Sequence, residues 1–230
     1  MNASPEIQGI GMTSARTRER LVKRLQDGGV HQAQILERIR AVPRHLFVDE
    51  ALASRAYEDS ALPIGHGQTI SQPFIVAYMT QMLLEKDGQL KKSPKVLEVG
   101  TGCGYQTAVL APLVGKLFSI ERIGSLLSDS RVRLGELGIG NIRFRHDDGF
   151  RGWPGQAPFD GIIAAAAAPE VPEKLLEQLG IGGCLVLPIG PHGEDQDLFK
   201  ITRTETGFKR KKLCKVSFVP MVTGKLRSQS

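Results

Sequence analysis

The chain has 230 residues, which suffices for a single α/β domain with a sizeable core, and its 41% hydrophobic and 23% charged content is typical of a globular protein. No apolar run approaches the roughly 18 residues of a membrane span, and the N-terminal segment lacks the apolar core of a secretory signal, so we expect a cytoplasmic protein. Three widely spaced cysteines without a C-x-x-C pair argue against a disulfide framework and against a zinc site, and no metal is expected.

The formal net charge of +6 is concentrated near the C-terminus, where residues 199–230 carry nine Lys or Arg and one Glu. The densest part is Lys209-Arg210-Lys211-Lys212. Three interpretations are open: an edge strand whose lysines prevent aggregation, a surface that attracts acidic substrates, or a nucleic-acid patch. We favour the edge strand, because few aromatic residues interleave the run, and a nucleic-acid partner is not expected.

The N-terminal third of the chain is predicted to be helical around one irregular stretch. Residues 1–12 show no periodic pattern and are expected to be disordered. Apolar residues at helical spacing, bounded by glycine or proline, predict three helices over about 14–26, 32–42 and 73–85. The intervening stretch 44–71 is punctuated by Pro and Gly and is predicted to be irregular.

From residue 95 onwards, strand and helix patterns alternate, which predicts a doubly wound, mostly parallel sheet in an α/β fold. The expected strands are 95–99, 116–121, 141–145, 160–164 and 183–187, with helices over about 105–113, up to 137, and 171–179. Two further strands, 197–203 and 212–220, are joined by a turn and predict an antiparallel pair at the C-terminus. The single domain, 13–230, thus divides into an N-terminal region (13–94), an alternating core (95–190) and C-terminal strands (191–230).

A glycine-rich turn follows the first strand of the alternating core. Gly100, Gly102 and Gly104 bring backbone N–H groups close to a ligand, with Thr101 between the first two. A dinucleotide fingerprint, G-x-G-x-x-G, would need a third glycine where Tyr105 stands. The observed G-x-G-x-G spacing favours a methyltransferase that uses S-adenosylmethionine over a dehydrogenase.

Acidic residues stand at the ends of the next strands. Glu121 lies 21 positions after Gly100 and is predicted to accept hydrogen bonds from the ribose hydroxyls of the cofactor. Asp148 is predicted to accept from the adenine amino group, and Gly149 lets the backbone approach the ring. Glu98 either binds the glycine loop or the methionine amino group, or is purely structural.

One segment carries a more specific pattern, Gly65-His66-Gly67-Gln68-Thr69-Ile70-Ser71-Gln72-Pro73. It resembles the T-I-S-x-P turn of the protein-L-isoaspartate O-methyltransferase family. Further matches run in the family's order over about 13–224: the segments 42–48 and 96–105, Asp148-Gly149, the alanine run 165–168 with Pro169, Gly182-Gly183, 187–190 and 218–220.

The resemblance implies methyl transfer from S-adenosylmethionine, leaving S-adenosyl-L-homocysteine, to the α-carboxylate of an L-isoaspartyl residue in a damaged protein or peptide. The methyl ester then closes to a succinimide, which can reopen to normal aspartate. The resemblance also implies site residues. Ser71 is the implied active-site residue. The implied cofactor contacts add Thr69, Ile70, Ser71 itself and Arg122 to the residues above, and the implied peptide contacts are Ala166, Ala167, Ala168 and Val219. We expect a monomer.

The chemistry agrees with this interpretation. A carboxylate is already ionised at neutral pH, because free carboxyl groups have a pKa of about 3–4, so no strong general base is needed. Catalysis would consist mainly of positioning, with the Ser71 hydroxyl orienting the carboxylate. Alternatively, Ser71 is a helix cap. His66 is expected to pack the loop. Two other functions remain open: a methyltransferase acting on a small molecule or RNA, and a non-catalytic protein that only binds the cofactor.

Overall fold

A computed structural model describes residues 9–91, 93–191 and 193–226. Residues 1–8 of the segment expected to be disordered lie outside this range, and Gly11–Thr13 form a short 3-10 turn. Within the described residues, no helix is long and apolar enough to cross a membrane.

Two N-terminal helices, α1 (Ala15–Asp27) and α2 (Ala33–Ala41), match the predicted ones closely. Their apolar faces pack on each other, and Leu21 and Ile35 are completely buried between them. Glycine ends α1 as expected, because Gly29 adopts φ 102°, a left-handed conformation that side chains disfavour. The 3-10 turns Arg44–Phe47 and Glu50–Arg55 follow α2.

The stretch predicted to be irregular contains a small antiparallel hairpin of β1 (Leu62–Gly65) and β2 (Gln68–Ile70). The turn between them places His66 at φ 52°. Strands this short, flanked by Pro and Gly, carry too few alternating residues to be recognised from sequence. Helix α3 (Pro73–Leu84) begins directly after the hairpin, and a second small hairpin, β3 (Glu85–Lys86) and β4 (Gln89–Leu90), ends this region.

The centre of the molecule is a seven-stranded sheet in the order β11-β10-β9-β8-β5-β6-β7. The five parallel strands are β5 (Lys95–Val99), β6 (Lys116–Glu121), β7 (Ile142–His146), β8 (Phe159–Ala164) and β9 (Leu179–Ile189). The helices between them are α4 (Tyr105–Leu110), α5 (Gly124–Glu136) and α6 (Glu173–Glu177). β10 (Gln196–Arg203) and β11 (Phe208–Val216) are antiparallel, so the predicted fold class is confirmed.

The central strands of the sheet are buried on both faces. Leu97 and Ile162 point into one apolar layer, and Val96 and Ile163 point into the other, which also contains α3. Such continuous apolar strands are typical of a parallel sheet with cover on both sides. The chain order reverses at β5, which lies between β6 and β8, and ligands of doubly wound sheets bind at that point, beyond the carboxyl ends of the strands.

Several boundaries differ from the predicted ones by one to three residues, and two strands, β9 and β11, begin four residues earlier than predicted. β9 begins at Leu179, where a helix was expected to end, because the glycine-rich start of the strand pairs with β8 through a register shift at Phe159/Gly161. β11 covers Phe208–Val216 rather than 212–220, because the exposed lysine run itself pairs with β10. After Val216 the chain leaves the sheet and crosses its carboxyl edge, where Pro220 bridges to Ala167 and Leu226 bridges to Ile123. We name residues 217–226 the C-terminal crossing segment.

Candidate active site

The glycine loop leaves the carboxyl end of β5 and turns into α4. Gly100, Gly102 and Gly104 adopt φ values of 93°, 54° and 92°, all in the left-handed region that favours glycine. The Gly100 N–H donates to the Ile120 carbonyl over 2.8 Å, which ties the loop to β6. The predicted loop therefore exists, with a backbone that residues carrying a Cβ would strain.

Glu121 connects this loop to the end of β6. Its Oε2 accepts a 2.9 Å hydrogen bond from the Gly102 N–H, and its Oε1 accepts one of 2.9 Å from the Ile123 N–H. The side chain is only 5% exposed, yet it lines the cleft above the loop. A carboxylate oxygen has two lone pairs, so both oxygens retain acceptor capacity for hydroxyl groups of a ligand.

The end of β7 contributes Asp148 and Gly149, and only the glycine lines the cleft. A Cβ at Gly149 would lie 2.4 Å from Val99 Cγ1, so the close approach to β5 requires glycine. Asp148 instead accepts from the Phe150 N–H over 2.9 Å and from the Gly224 N–H over 2.8 Å. The Asp148 carboxylate thus anchors the C-terminal crossing segment, a contact that the sequence did not predict.

Thr69, Ile70 and Ser71 lie at the end of β2 and line the wall opposite the glycine loop. The N-cap of α3 is Gln72, with Pro73 in the first turn, so Ser71 does not occupy the capping position. The Ser71 hydroxyl has no hydrogen-bond partner among the described residues and remains available to a ligand.

Asp59, an acid that was not predicted to belong to the site, fixes the turn that precedes α3. Asp59 Oδ1 accepts from the Phe74 N–H over 2.9 Å, and the Asp59 carbonyl accepts from Gln72 Nε2 over 3.0 Å. Asp59, which is distant in sequence, therefore accepts from a backbone N–H group at the start of α3, in place of a local capping residue. Only the tertiary structure could reveal it, because nothing in the spacing of residues 59 and 74 is typical of a cap.

The alanine run follows β8 and pairs with the C-terminal crossing segment. The Ala167 N–H donates to the Val219 carbonyl over 2.9 Å, and the Met221 N–H donates to the Ala167 carbonyl over 2.7 Å. Ala166 and Val219 line the cleft, whereas Ala167 and Ala168 are buried with 3% and 0% exposure and are not part of its lining. The buried positions of Ala167 and Ala168 therefore favour a role in packing behind the wall of the cleft.

Together these walls enclose one cleft with about 830 Å³ of empty space, its open mouth included. Of the predicted site residues, those that line it are Thr69, Ile70, Ser71, Gly100, Thr101, Gly102, Glu121, Arg122, Gly149, Ala166 and Val219. Those that do not are Glu98, Gly104, Asp148, Ala167 and Ala168. Several apolar residues that were not predicted from the sequence also line the cleft, Ile64, Met221 and Val222 among them. Nothing in their types distinguishes them from core residues.

Glu98 lies beneath the glycine loop and is completely buried. Its Oε2 accepts from the hydroxyls of Thr107 and Ser119, each over 2.6 Å, and Ser119 Oγ lies 2.6 Å from Thr101 Oγ1. Burial raises the pKa of Glu98 to about 7, against the lowering effect of the two hydroxyl donors. Of the two predicted roles, this position favours the structural one, because the carboxylate supports the loop from below and has no contact with the cleft.

His66 lies in the β1–β2 turn and contacts α5. His66 Nε2 lies 3.0 Å from Ser125 Oγ on α5 and outside the cleft lining, as a loop-packing residue would. In the part of the chain that the structure describes, no group of three or more His, Cys, Asp or Glu is placed to hold a metal ion. The polar groups that line the cleft include backbone amides, hydroxyls and the Glu121 carboxylate.

These groups fit S-adenosylmethionine. The glycine loop offers a surface without Cβ atoms, Glu121 offers acceptors for hydroxyl groups, and Gly149 adds a backbone surface to the lining. The fold and this donor set define the chain as a methyltransferase of the S-adenosylmethionine-dependent class.

Comparisons with known proteins identify the family. The family model "Protein-L-isoaspartate(D-aspartate) O-methyltransferase (PCMT)" matches residues 16–226, and the chain belongs to this family. Similar proteins named protein-L-isoaspartate O-methyltransferase occur in Pseudomonas paraeruginosa, 59% identical over 93% of this chain and 99% of that protein, and in Alcanivorax borkumensis, 52% identical over 96% and 99%. The family expected from the T-I-S-x-P turn is confirmed.

Solved structures agree with the fold. A protein-L-isoaspartate O-methyltransferase structure superposes with a TM-score of 0.78 at 29% identity, covering 88% of this chain and 65% of that one. A second, from Plasmodium falciparum and described as in complex with S-adenosyl-L-homocysteine, has a TM-score of 0.72 at 24% identity and covers 89% and 98%. At that identity the second structure supports the fold alone.

Replacing Glu121 with alanine is expected to weaken S-adenosylmethionine binding by roughly 1.5–3 kcal/mol, about 10–150-fold, through loss of charge-assisted hydrogen bonds. The variant also releases the Gly102 N–H from its partner. Calorimetric titration measures the effect, with Glu136→Ala, an exposed acid on α5, as the control. Unchanged affinity in the Glu121 variant would remove Glu121 from the cofactor site.

Proposed function

We propose that this chain transfers a methyl group from S-adenosylmethionine to the α-carboxylate of L-isoaspartyl residues in damaged proteins, which starts their repair to aspartate through a succinimide. One observation carries the proposal: Ser71 lines the same cleft as the glycine loop and Glu121. The cofactor, when bound, supplies an electrophilic methyl group on a sulfonium. The chain's residues have to hold a carboxylate oxygen in line with that methyl group.

The cofactor side of the cleft would comprise Gly100, Thr101, Gly102, Glu121 and Gly149. Glu121 accepts hydrogen bonds from the ribose, and the backbone of the glycine loop holds the amino-acid part. Thr69, Ile70 and Arg122 also line the cleft and complete the proposed cofactor set. For Glu98, Gly104 and Asp148 we propose indirect roles, in shaping the loop or anchoring the C-terminal crossing segment.

The substrate side would comprise Ser71, Ala166 and Val219. Ser71 donates a hydrogen bond that orients the carboxylate without protonating it, so the oxygen stays nucleophilic. Ala166 and Val219 present small or short side chains, which lets a polypeptide backbone approach. Recognition through main-chain groups suits an enzyme that accepts many sequences around one lesion. Ala167 and Ala168 would hold the wall in place without contacting the substrate, because their N–H groups donate to the Val219 and Pro188 carbonyls.

The remaining parts of the proposal concern setting and assembly. We propose a cytoplasmic monomer that acts on proteins and peptides and does not need nucleic acid. Free Cys103, Cys184 and Cys214 suit a reducing compartment. We also retain the division of 13–230 into an N-terminal region, a cofactor-binding core and C-terminal strands, with the qualification that the C-terminal crossing segment contributes to the cleft.

The test uses two synthetic peptides that differ only in an aspartyl or isoaspartyl linkage, with labelled S-adenosylmethionine. We expect methylation of the isoaspartyl peptide alone, because its extra backbone methylene places the carboxylate where the main chain normally continues. Equal turnover of both peptides would contradict the repair function. Transfer to RNA or to a small molecule but to neither peptide would favour the other methyltransferase functions.

Ser71→Ala is expected to lower kcat on the isoaspartyl peptide by roughly 1–3 kcal/mol, about 5–150-fold, with little change in cofactor affinity. The hydroxyl acts on the carboxylate and not on cofactor binding, so steady-state kinetics and titration separate the two. Ser128→Ala is the control, because among the described residues Ser128 Oγ bonds only the Gly124 carbonyl, on the exposed face of α5. Wild-type kcat in the Ser71 variant would reduce this residue to a structural one.

A further inference from the structure

A second concavity lies at the other end of the sheet from the cleft, near the amino ends of β5 and β8. It encloses about 1610 Å³ of space, open solvent included, and five lysines line it: Lys86, Lys91, Lys200, Lys209 and Lys211. They come from three places in the sequence, the β3–β4 hairpin, β10 and β11. We name this concavity the lysine groove.

The acids beside these lysines do not neutralise them. Glu85 Oε2 accepts from Gln32 Nε2 over 2.8 Å and lies 2.9 Å from His31 Nε2. Asp160 Oδ2 accepts from the Lys95 N–H over 2.8 Å. Asp87, the third acid of the lining, stands in the exposed β3–β4 turn. Among the described residues, none of the five lysines forms an ion pair. The groove therefore has a net positive charge.

The strand register adds an unfavourable contact to this groove. Lys200 on β10 is directly opposite Lys211 on β11, and like charges in that position destabilise a sheet. The other lysines of β11 behave differently, because Lys212 and Lys215 each lie 2.9 Å from an oxygen of Asp197. β11 thus has compensated cations on one side and uncompensated ones in the groove, where a bound anion would relieve the repulsion.

The backbone of β11 is also open to a partner. In the part of the chain that the structure describes, β11 pairs only with β10 and forms the edge of the sheet, so its outer N–H and C=O groups are open to an extended chain. No aromatic residue is found among the described residues that line the groove, whereas surfaces for single-stranded nucleic acid stack bases on aromatic side chains. Both observations favour a polypeptide over a nucleic acid as the anionic partner.

We propose that the lysine groove docks an acidic, extended segment of the protein substrate, at a distance from the isoaspartyl residue. The proposal rests on the proposed function, since it assumes protein substrates. β5 has five residues and separates the two sites by about 16 Å, from a rise of roughly 3.3 Å per residue. A peptide of fewer than five residues in the cleft is too short to reach the groove, because an extended chain also rises roughly 3.3 Å per residue, whereas a protein with an acidic segment can occupy both.

The test compares Lys209→Gln/Lys211→Gln with a matched control, Lys212→Gln/Lys215→Gln, which removes the same charge from the same strand. For an acidic isoaspartyl protein at low salt, we expect the groove variant to lower kcat/KM about fivefold or more, and added salt to reduce the difference. For a short uncharged isoaspartyl peptide, both variants should match the wild type. An equal loss on both substrates, or an equal loss in both variants, would overturn the proposal.

A binding measurement without turnover separates this proposal from the proposed function. Fluorescence anisotropy with a labelled glutamate-rich peptide that lacks isoaspartate should show salt-sensitive binding to the wild type and weaker binding to the groove variant. If wild type failed to methylate isoaspartyl peptides, this result would still stand for the groove. Binding of labelled single-stranded RNA but not of the acidic peptide would overturn the proposed partner.

Discussion

Arg44→Ala is expected to lower the free energy of unfolding by roughly 3–5 kcal/mol, which is a large part of the stability of a domain. Arg44 is completely buried, and its Nε and Nη2 donate to the carbonyls of Ala56 and Ser60 over 2.8 and 3.3 Å. Its guanidinium lies 4.7 Å from the centre of the Tyr105 ring, beneath the cleft. Truncation therefore leaves a cavity and two carbonyls without donors.

Two further variants separate these causes in chemical denaturation. Arg44→Met fills most of the volume but donates no hydrogen bond. The free energy of unfolding of this variant should therefore lie between those of the wild type and of the alanine variant. Arg55→Ala is the control, because Arg55 is 53% exposed and pairs with Glu58 on the surface, where an ion pair contributes at most about 1 kcal/mol. Equal losses for Arg44→Ala and Arg55→Ala would contradict the interpretation.

Glu98→Gln is expected to remove a pH dependence of stability that the wild type shows between about pH 4.5 and 7. Burial raises the pKa of Glu98 in the folded protein to about 7, from an ordinary value of 4.5. Below pH 4.5 the carboxyl is protonated in both the folded and the unfolded state and has no effect. As pH rises towards 7, the unfolded state ionises first, so stability falls by about 1.4 kcal/mol per pH unit and then levels off.

Over the whole pH range, the ionisation of Glu98 lowers the free energy of unfolding of the wild type by roughly 3 kcal/mol. Glutamine does not titrate, so the variant should gain stability relative to wild type from pH 5 to pH 8. Denaturant unfolding at several pH values measures this gain. Glu205 is an exposed acid in the β10–β11 turn, so the stability of Glu205→Gln plotted against pH should stay parallel to that of the wild type. A Glu98 variant that also ran parallel would show that this carboxyl titrates normally in the folded protein.

The parallel core could be predicted from sequence because its signals are local and strong. Lys95–Val99 and Lys116–Glu121 are apolar runs of strand length, and both strands have the predicted bounds. The glycine spacing that follows β5 requires left-handed backbone conformations, which Gly102 adopts. The family was also predictable, because the T-I-S-x-P turn and the alanine run are specific patterns, and the family model confirms it.

What could not be predicted depends on contacts between distant segments. Asp59 fixes the start of α3, and Asp148 binds the backbone of Gly224, yet both look like ordinary surface acids in the sequence. Glu98 stands before the glycine loop in sequence, but its side chain points beneath the loop and not into the cleft. The roles of individual cleft residues remain predictions that the substitutions above test.

The position of the C-terminal crossing segment has a consequence for biosynthesis. The strands that hold the cofactor side, β5 to β8, leave the ribosome before Val219, Pro220 and Met221, which form one wall of the cleft. A nascent chain can therefore fold its glycine loop while that wall is still missing, and it gains a complete cleft only when the crossing segment has emerged. A proteolytic cut after Val216 would have a similar effect, leaving the sheet intact while the wall is lost.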